Sequence, residues 1–537
     1  CEGCGDCGVK STCVSLRPVS TALGRKTRIH RDSCSDDRSC LDGDCPAFLS
    51  VLNPSLPPDP HETRLPSALP SPPSLNWDHR YAIFMAGIGS TGVVTIDALL
   101  VRAAELDGLY AIHMDQTGLA QRGGKVVSHC LVSRSPIEGS ARIGWGQADL
   151  FLAFDPLSAT DRLSLLPLDP KRTRALAHAD RAPTGREVGA GQDESASIDA
   201  MLEALRANTR SLFALRAEAL AEAALGPSIL ANTVVLGAAL QLGLLPVSQN
   251  SLEQAIRDNG VAAEENLRAL WLGRSVVVDP DLADRLLANA TAPSVGDGDN
   301  LATLPPALAE SWTRLDAELE RLSDPASRQA LRCRLASFAV DLADYQNTAH
   351  ARCFLERIRA LAEAEARCQP DSTKGSTALT ETGARELYRV MAPKDEYEVA
   401  RLLMRGPFRR WLEKRRRGPL RLRYHLRPPL LRALGLRRKL ALGRWIEPLL
   451  WGLIALRRLR GTAFDPFGFM SPRRLDRAIQ HWYTDLISTL AESLTAENLE
   501  AAIRIAGLAD RIRGYEGIRA ARFAEVQPLA ESELAAL

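Results

Sequence analysis

The stretch from Tyr81 to Leu106, YAIFMAGIGSTGVVTIDALLVRAAEL, sets the fold class. A short apolar run is followed at once by Gly87, Gly89 and Gly92, then by apolar residues at helical spacing. Strand, glycine turn and helix in this order bring backbone N–H groups and a helix N-terminus to one point, which attracts anions. A second apolar run, LYAIHM, leads into Asp115, about the offset at which dinucleotide folds place a ribose-binding acid. A nicotinamide or flavin dinucleotide is one reading. Tight βα packing is the other, and a bare G-x-G-x-x-G does not choose between them.

Downstream residues weaken the dinucleotide reading. DQTGLAQRGGKVVSHCLVS sets Gly123 and Gly124 directly after Arg122 and then alternates as a strand. The result is a second backbone-exposing loop beside a cation, suited to an anionic ligand or a domain contact. ADLFLAFDP, residues 148 to 156, reads as a parallel strand ending in Asp155 at the sheet's carboxyl edge, where α/β ligands collect. A structural ion pair between Arg122 and Asp155 is the plainer alternative. ILANTVVLGAALQLGLLP predicts a buried helix, and SLEQAIRDNGVAAEENLRALWLGR another with its N-cap at Ser251. VVVDP, after Gly273, reads as a strand, and the charged, alanine-rich residues 171 to 200 as a surface insertion.

Upstream lies a different chemistry. Seven of the eleven cysteines fall within the first 45 residues: Cys1, Cys4, Cys7, Cys13, Cys34, Cys40 and Cys45. C-x2-C-x2-C among Gly3, Gly5 and Gly8 lets three thiols converge, and a far Cys-Pro at Cys45 completes the pattern of bacterial [4Fe-4S] ferredoxins. Structural zinc is the main alternative, although zinc prefers paired C-x2-C knuckles. Disulfides would suit a small secreted domain, whereas the rest of this chain is cysteine-poor. The cluster count stays open at one or two. Cys1, Cys4, Cys7 and Cys45 form one natural set, while Cys13, Cys34 and Cys40 need an eighth ligand. The spacing after Cys7 is x5 where the bacterial pattern has x3-C-P. A chain that starts on Cys1 is expected to be the C-terminal part of something longer.

The 537 residues suffice for three or four domains. A net charge of +2 and 5% aromatic residues give no basis for nucleic-acid binding. The longest apolar run, WIEPLLWGLIAL from Trp445 to Leu456, is too short to span a bilayer and carries Glu447. Free thiols and the absence of a signal-peptide pattern predict a cytoplasmic protein with no membrane association. Residues 53 to 75 are proline-rich and read as a semi-rigid tether, able to keep a cluster within electron-transfer reach of a partner site.

In motif order the chain resembles the indolepyruvate ferredoxin oxidoreductases of the 2-oxoacid:ferredoxin oxidoreductase superfamily, specifically the C-terminal portion of the long fused form. The resemblance rests on CEGCGDCGVKSTC, the GRK of residues 24–26, CPAFLSV, GIGSTGVVTIDALL, DQTGLAQRGGKVVSH, ADLFLAFDPL and LPVSQNSLEQAIRDNGVAAEENLRA. It continues through MAPKDEYEVARLL, RGTAFDPFGF and IRGYEGIRAAR. It implies an α/β fold class with a ferredoxin-like iron–sulfur segment (1–50), a proline-rich linker (51–78) and a gamma-type domain with a parallel sheet (79–280). A second linker (281–300) and an all-helical domain (301–537) follow. The implied activity is oxidative decarboxylation of an arylpyruvate, a 2-oxoacid, with coenzyme A, giving aryl-acetyl-CoA and carbon dioxide. Electrons would pass through [4Fe-4S] to ferredoxin.

Thiamine diphosphate and Mg2+ would sit mainly on an upstream half, in the same chain or a separate subunit, without which this portion should not turn over. The resemblance carries the ligand role to the seven N-terminal cysteines. It makes Gly87, Gly89, Gly92, Arg122, Gly123 and Gly124 cofactor- or domain-facing, and implies a homo-oligomer. Catalytic residues stay unassigned. Two other classes remain: an NAD- or flavin-dependent subunit, and a stand-alone electron-transfer or scaffold protein. In the helical part, the charges of KDEYEVARLL are expected on solvated faces. The basic run Arg401 to Arg444 reads either as a docking face for an acidic ferredoxin or as packed arginines. His425 reads as structural.

Overall fold

The computed structural model describes residues 1–21, 24–52, 65–89, 91–118, 123–180, 182–190, 197–291, 304–322, 325–368, 376–415, 421–427, 435 and 438–537. Arg122 and the segment 292–300 lie outside these residues. The N-terminal segment has helix α1 (Asp6–Ser11), an antiparallel hairpin of β1 (Leu16–Thr21) and β2 (Gly24–Ile29), and β3 (Leu49–Leu52).

The central unit is a six-stranded sheet. Its strands are β4 (Arg80–Ile88), β5 (Tyr110–Thr117), β6 (Lys125–Ser133), β7 (Leu150–Ala153), β8 (Arg174–His178) and β9 (Ser211–Leu215), in the order β5-β6-β4-β7-β8-β9. Strands β4, β7, β8 and β9 are parallel, and the β5–β6 hairpin closes one edge antiparallel. The apolar run of β4 fills both faces by strict alternation. Tyr81, Ile83 and Met85 join the core beneath α2 (Val93–Leu106) and the helices Ala231–Gln241 and Ala263–Val278. Ala82, Phe84 and Ala86 enter the opposite core with Phe151 and helix Ile198–Asn208. The second half of the proline-rich segment is strapped onto this unit. Trp271 donates to the Pro66 carbonyl at 2.8 Å, Arg274 to that of Pro70 at 3.0 Å, and Leu65, Leu75 and Trp77 pack on the core.

Several expectations need correction. VVVDP is not a strand: it ends helix Ala263–Val278 and begins helix Pro280–Thr291, because its apolar side chains continue a helical stripe. Residues 174–178 are not an insertion but the buried strand β8. The helix at Gln249 is capped by the Ser248 hydroxyl, which accepts the Ser251 N–H at 3.2 Å, so the cap lies three residues before the expected one.

The C-terminal unit packs helices from Ala309–Leu322 to Glu516–Ala535 around one large core. It is not wholly helical. Strands β10 (Arg421–Leu426) and β11 (Leu440–Leu442) form a small sheet whose third strand is β3 from the cysteine segment. The charges of KDEYEVARLL are buried rather than solvated. Arg401 reaches Glu398 at 2.7 Å and Asp341 and Asp344 at 2.8 Å, and Arg460 pairs with Asp395 at 2.6 Å. Arg401 and Arg409 thus belong to the packed-arginine reading of the basic run. His425 is buried in β10, 2.8 Å from the Ser50 hydroxyl, a structural position. Among the described residues no helix is long and apolar enough to cross a membrane.

Two outcomes are expected. Arg401→Ala strands three carboxylates and should cost about 3–5 kcal/mol in chemical denaturation. His129, whose Nδ1 accepts the Ile143 N–H at 3.1 Å, is lowered to about 4 by burial and by Arg142. Its folded pKa lies below the unfolded value, so its contribution is present above pH 6.5 and is lost as pH falls toward 4. His129→Gln should therefore flatten the fall in unfolding free energy between pH 7 and pH 4.5. An unchanged pH slope would assign the acid lability elsewhere.

Candidate functional site

All eleven cysteines carry free thiols, which removes the disulfide reading. Two left-handed glycines, Gly3 (φ 65°) and Gly5 (φ 78°), bend the chain between Cys1 and Cys7, a conformation that a side chain would strain. Helix α1 then carries Cys7 against the turn Ser39–Asp42. A Cβ at Gly43 would stand 2.9 Å from the Cys7 Cα, so the two cysteine stretches meet as closely as backbones allow. Cys1 Sγ accepts the N–H groups of Gly3 and Thr27, each at 3.3 Å, and Cys34 Sγ accepts that of Asp36 at 3.4 Å. Such donors favour a negatively charged sulfur.

The thiols fall into two adjoining groups. Burial raises Cys45 and Cys4, which lie beside each other, and Cys45 also faces the Cys1 amino group. Burial pushes Cys40 up to about 11, with Cys13 and Cys34 adding to it. Cys7 stands between the groups: burial takes it to about 11, with Cys4 and Cys40 beside it.

This donor set fits an iron–sulfur cluster. Among the described residues the ligand-type side chains that converge within 4.8 Å are His30–Glu218–Glu222 and Asp97–His113–Asp115; no three thiols approach as closely as one zinc ion would hold them. A cubane spreads its thiolates more widely. The Lys439 ammonium is shut off from solvent with no hydrogen-bond partner; it lies 4.6 Å above the Phe48 ring, and Cys45, Asp44 and Cys40 are its opposing charges. An orphaned ammonium aimed at thiols suits an anionic group there.

Both larger units wall this pocket. From the α/β side, Val188 packs on Gly8, Glu218 pairs with Arg17, and Ser228 meets His30 at 2.8 Å and Asp32 at 2.6 Å. Against burial, His30 and Arg17 hold Glu218 down to about 2. From the C-terminal side, Lys394 pairs with Glu2 at 3.2 Å, and Arg513 donates to the carbonyls of Glu2 (2.9 Å) and Arg25 (3.2 Å). Arg427 pairs with Asp44 at 2.7 Å, and Gly514 lies against Cys4. Burial lowers Lys26 to about 8, with repulsion from Lys394. Lys394, Lys439, Arg513 and Tyr515 were not assigned a role by sequence reasoning. The signal was present: three of them fall in MAPKDEYEVARLL and IRGYEGIRAAR, motifs matched without a chemical reason.

The glycine loops of the α/β unit come together. Gly89 donates to the Gly124 carbonyl at 2.7 Å and accepts from Gly123 at 3.4 Å, so its peptide groups are engaged within the protein. Gly87 is forced by packing, since a Cβ there would stand 2.7 Å from Val93. Gly92 caps α2 in the left-handed region, and Gly123 faces Val14 of the cysteine segment. Asp155 caps the short helix Pro156–Ala159 by accepting the Ser158 N–H at 2.7 Å. Asp115 accepts from Ser128 on a strand that β6 separates from β4, so the adjacent parallel pair of a dinucleotide fold is not formed.

Family comparisons cover the α/β and helical units, and the thiol-rich segment lies outside both matches. Residues 82–276 match the family described as pyruvate ferredoxin/flavodoxin oxidoreductase, and residues 332–532 match a family of unknown function, DUF6537. The α/β unit is similar to 2-oxoacid:ferredoxin oxidoreductase subunits. Indolepyruvate oxidoreductase subunit IorB of Archaeoglobus fulgidus is 29% identical over 198 residues, 36% of this chain and 94% of its own. 2-Oxoglutarate synthase subunit KorC of Methanothermobacter thermautotrophicus is 29% identical over 206 residues, 37% of this chain and 96% of its own. The gamma subunit of keto/oxoacid ferredoxin oxidoreductase from Geobacter sulfurreducens aligns with 37% of this chain and 98% of its own, at 22% identity and a TM-score of 0.26.

Arg513→Ala removes the bonds that seat residues 1–4 and should cost about 1.5–3 kcal/mol locally. Hydrogen exchange at the amides of residues 2–8 should then rise by roughly tenfold or more. Unaltered protection there would show that the seat does not depend on Arg513.

Proposed function

We propose that the chain is the electron-relay and gamma-type portion of a thiamine-diphosphate-dependent 2-oxoacid:ferredoxin oxidoreductase of the indolepyruvate type. The observation that carries this reading is the gathering of seven free thiols in a pocket between an α/β unit of that relationship and a helical unit. The overall reaction balances as arylpyruvate, coenzyme A and two oxidised ferredoxins giving aryl-acetyl-CoA, carbon dioxide, a proton and two reduced ferredoxins. Thiamine diphosphate with Mg2+, held by an upstream half or separate subunit, supplies the electron sink for decarboxylation. Bound to the thiols, [4Fe-4S] supplies one-electron transfer.

This chain's own residues hold and shield that relay. Cys1, Cys4 and Cys45 form one ligand group and Cys13, Cys34 and Cys40 the other, with Cys7 completing either. The N–H donors to Cys1 and Cys34 offset sulfur charge, while α1, the turn at Gly43 and the C-terminal loop exclude water. The loops Gly87, Gly89, Gly92 and Gly123, Gly124 form the edge facing the cofactor-bearing partner, next to the cysteine segment at Val14; Arg122, expected beside them, lies outside the described residues. The reading places the assembly in the cytoplasm as a homo-oligomer. A stand-alone electron-transfer protein is the second reading, favoured only by the self-contained thiol set. A dinucleotide reading is disfavoured by the engaged Gly89 peptide groups.

Cys4→Ala in the full chain, reconstituted anaerobically, should lose the iron and sulfide of its cluster and part of the brown absorbance while the helical circular-dichroism signal persists. Full retention of iron and sulfide would sink the ligand assignment. Joined to its thiamine-binding half, the protein should reduce ferredoxin faster with indolepyruvate than with 2-oxoglutarate. The reverse preference would keep the class and overturn the substrate.

A further inference from the structure

The helical unit matching a family of unknown function turns several of its polar groups toward the cysteine pocket. Arg513 holds the carbonyls of Glu2 and Arg25, and Gly514 packs with its Cβ position 3.4 Å from Cys4 Cβ. Tyr515 follows directly on Gly514, and burial first, then Cys45, Glu2 and Cys4, raise its phenol well above its ordinary value. Lys394 is buried against Glu2, and the unpartnered Lys439 ammonium faces Cys45 and Cys40. Lys394, Arg389, Arg513 and Arg519 all lie within the C-terminal unit; the carboxylates set against them include Glu2, Glu386, Glu398, Asp341, Asp476 and Asp510.

We propose that this C-terminal unit is the redox-setting wall of the cysteine pocket, with Lys439 and Tyr515 as positioning residues that make the cluster on the Cys45 side easier to reduce. The inference rests on the iron–sulfur reading above and goes beyond it in giving the helical unit a task. A thiolate-bound cluster gains one negative charge on reduction. A desolvated ammonium and a phenol beside the thiolates stabilise the more negative state more strongly, since water is absent to screen them. Neither residue touches the 2-oxoacid or carries electrons. The Cys13–Cys34–Cys40 group lies toward the exposed turn at Asp37, so a cluster bound there is the internal reference for Tyr515→Phe, whereas Lys439 also faces Cys40.

The test is an EPR-monitored redox titration of the anaerobically reconstituted full chain, wild type against Tyr515→Phe, Lys439→Met and Lys439→Arg. Both Tyr515→Phe and Lys439→Met should retain wild-type iron and sulfide, and one cluster signal should shift to a more negative midpoint. Lys439→Arg should return that midpoint toward the wild-type value. Unchanged midpoints in both variants would overturn the inference and reduce the wall to packing. Loss of iron from both would likewise overturn it, by making the residues supports of assembly. A wild-type protein without iron and sulfide would instead overturn the reading beneath, which separates the two failures.

Discussion

The cysteine segment has almost no interior of its own. Its cluster of buried apolar residues consists of Cys7, Leu16 and a borrowed Val188 from the α/β unit. A segment of about fifty residues without a core or disulfide of its own does not hold shape by hydrophobic burial alone. Its order depends on walls lent by two larger units, and the contacts at its edges follow from that constraint. The hairpin β1–β2 is pinned by Glu218 and Ser228, β3 completes a sheet with β10 and β11, and residues 1–4 are seated by Lys394 and Arg513.

The same constraint explains where the protein buries charge. Glu2 is fully enclosed; against that cost Lys394 first, then Lys26 and Arg519, hold it well below the usual carboxylate range. Isolated, such a group would be strongly destabilising. Paired, it fixes the approach of the segment to its wall, a specificity role rather than a stability gain. The network of Arg401, Arg460, Asp395 and Glu398 stands directly behind, so the surface that meets the cysteines is itself rigidly determined.

The α/β unit was legible from local pattern because strand β4, the glycine turn and α2 are contiguous and each obeys its own period. The thiols were legible from spacing alone. What escaped sequence reasoning was set by tertiary burial. VVVDP has strand propensity but continues a helical stripe, so packing overrode propensity. KDEYEVARLL alternates charge as a solvated helix does, yet its carboxylates and arginine neutralise one another inside the unit. Lys394, Lys439 and Tyr515 come from segments some 390 to 510 residues from the parts of the cysteine segment they face. No local period reports such contacts.

The central claim is that the seven N-terminal thiols hold iron–sulfur chemistry between two supporting units. Anaerobic iron, zinc and acid-labile sulfide analysis of the full chain, with EPR after dithionite reduction, tests it most directly. The account predicts iron and sulfide in equal amounts, about four of each per bound cluster, with a fast-relaxing signal from a reduced cubane. Stoichiometric zinc without sulfide would contradict it and return the segment to a structural role.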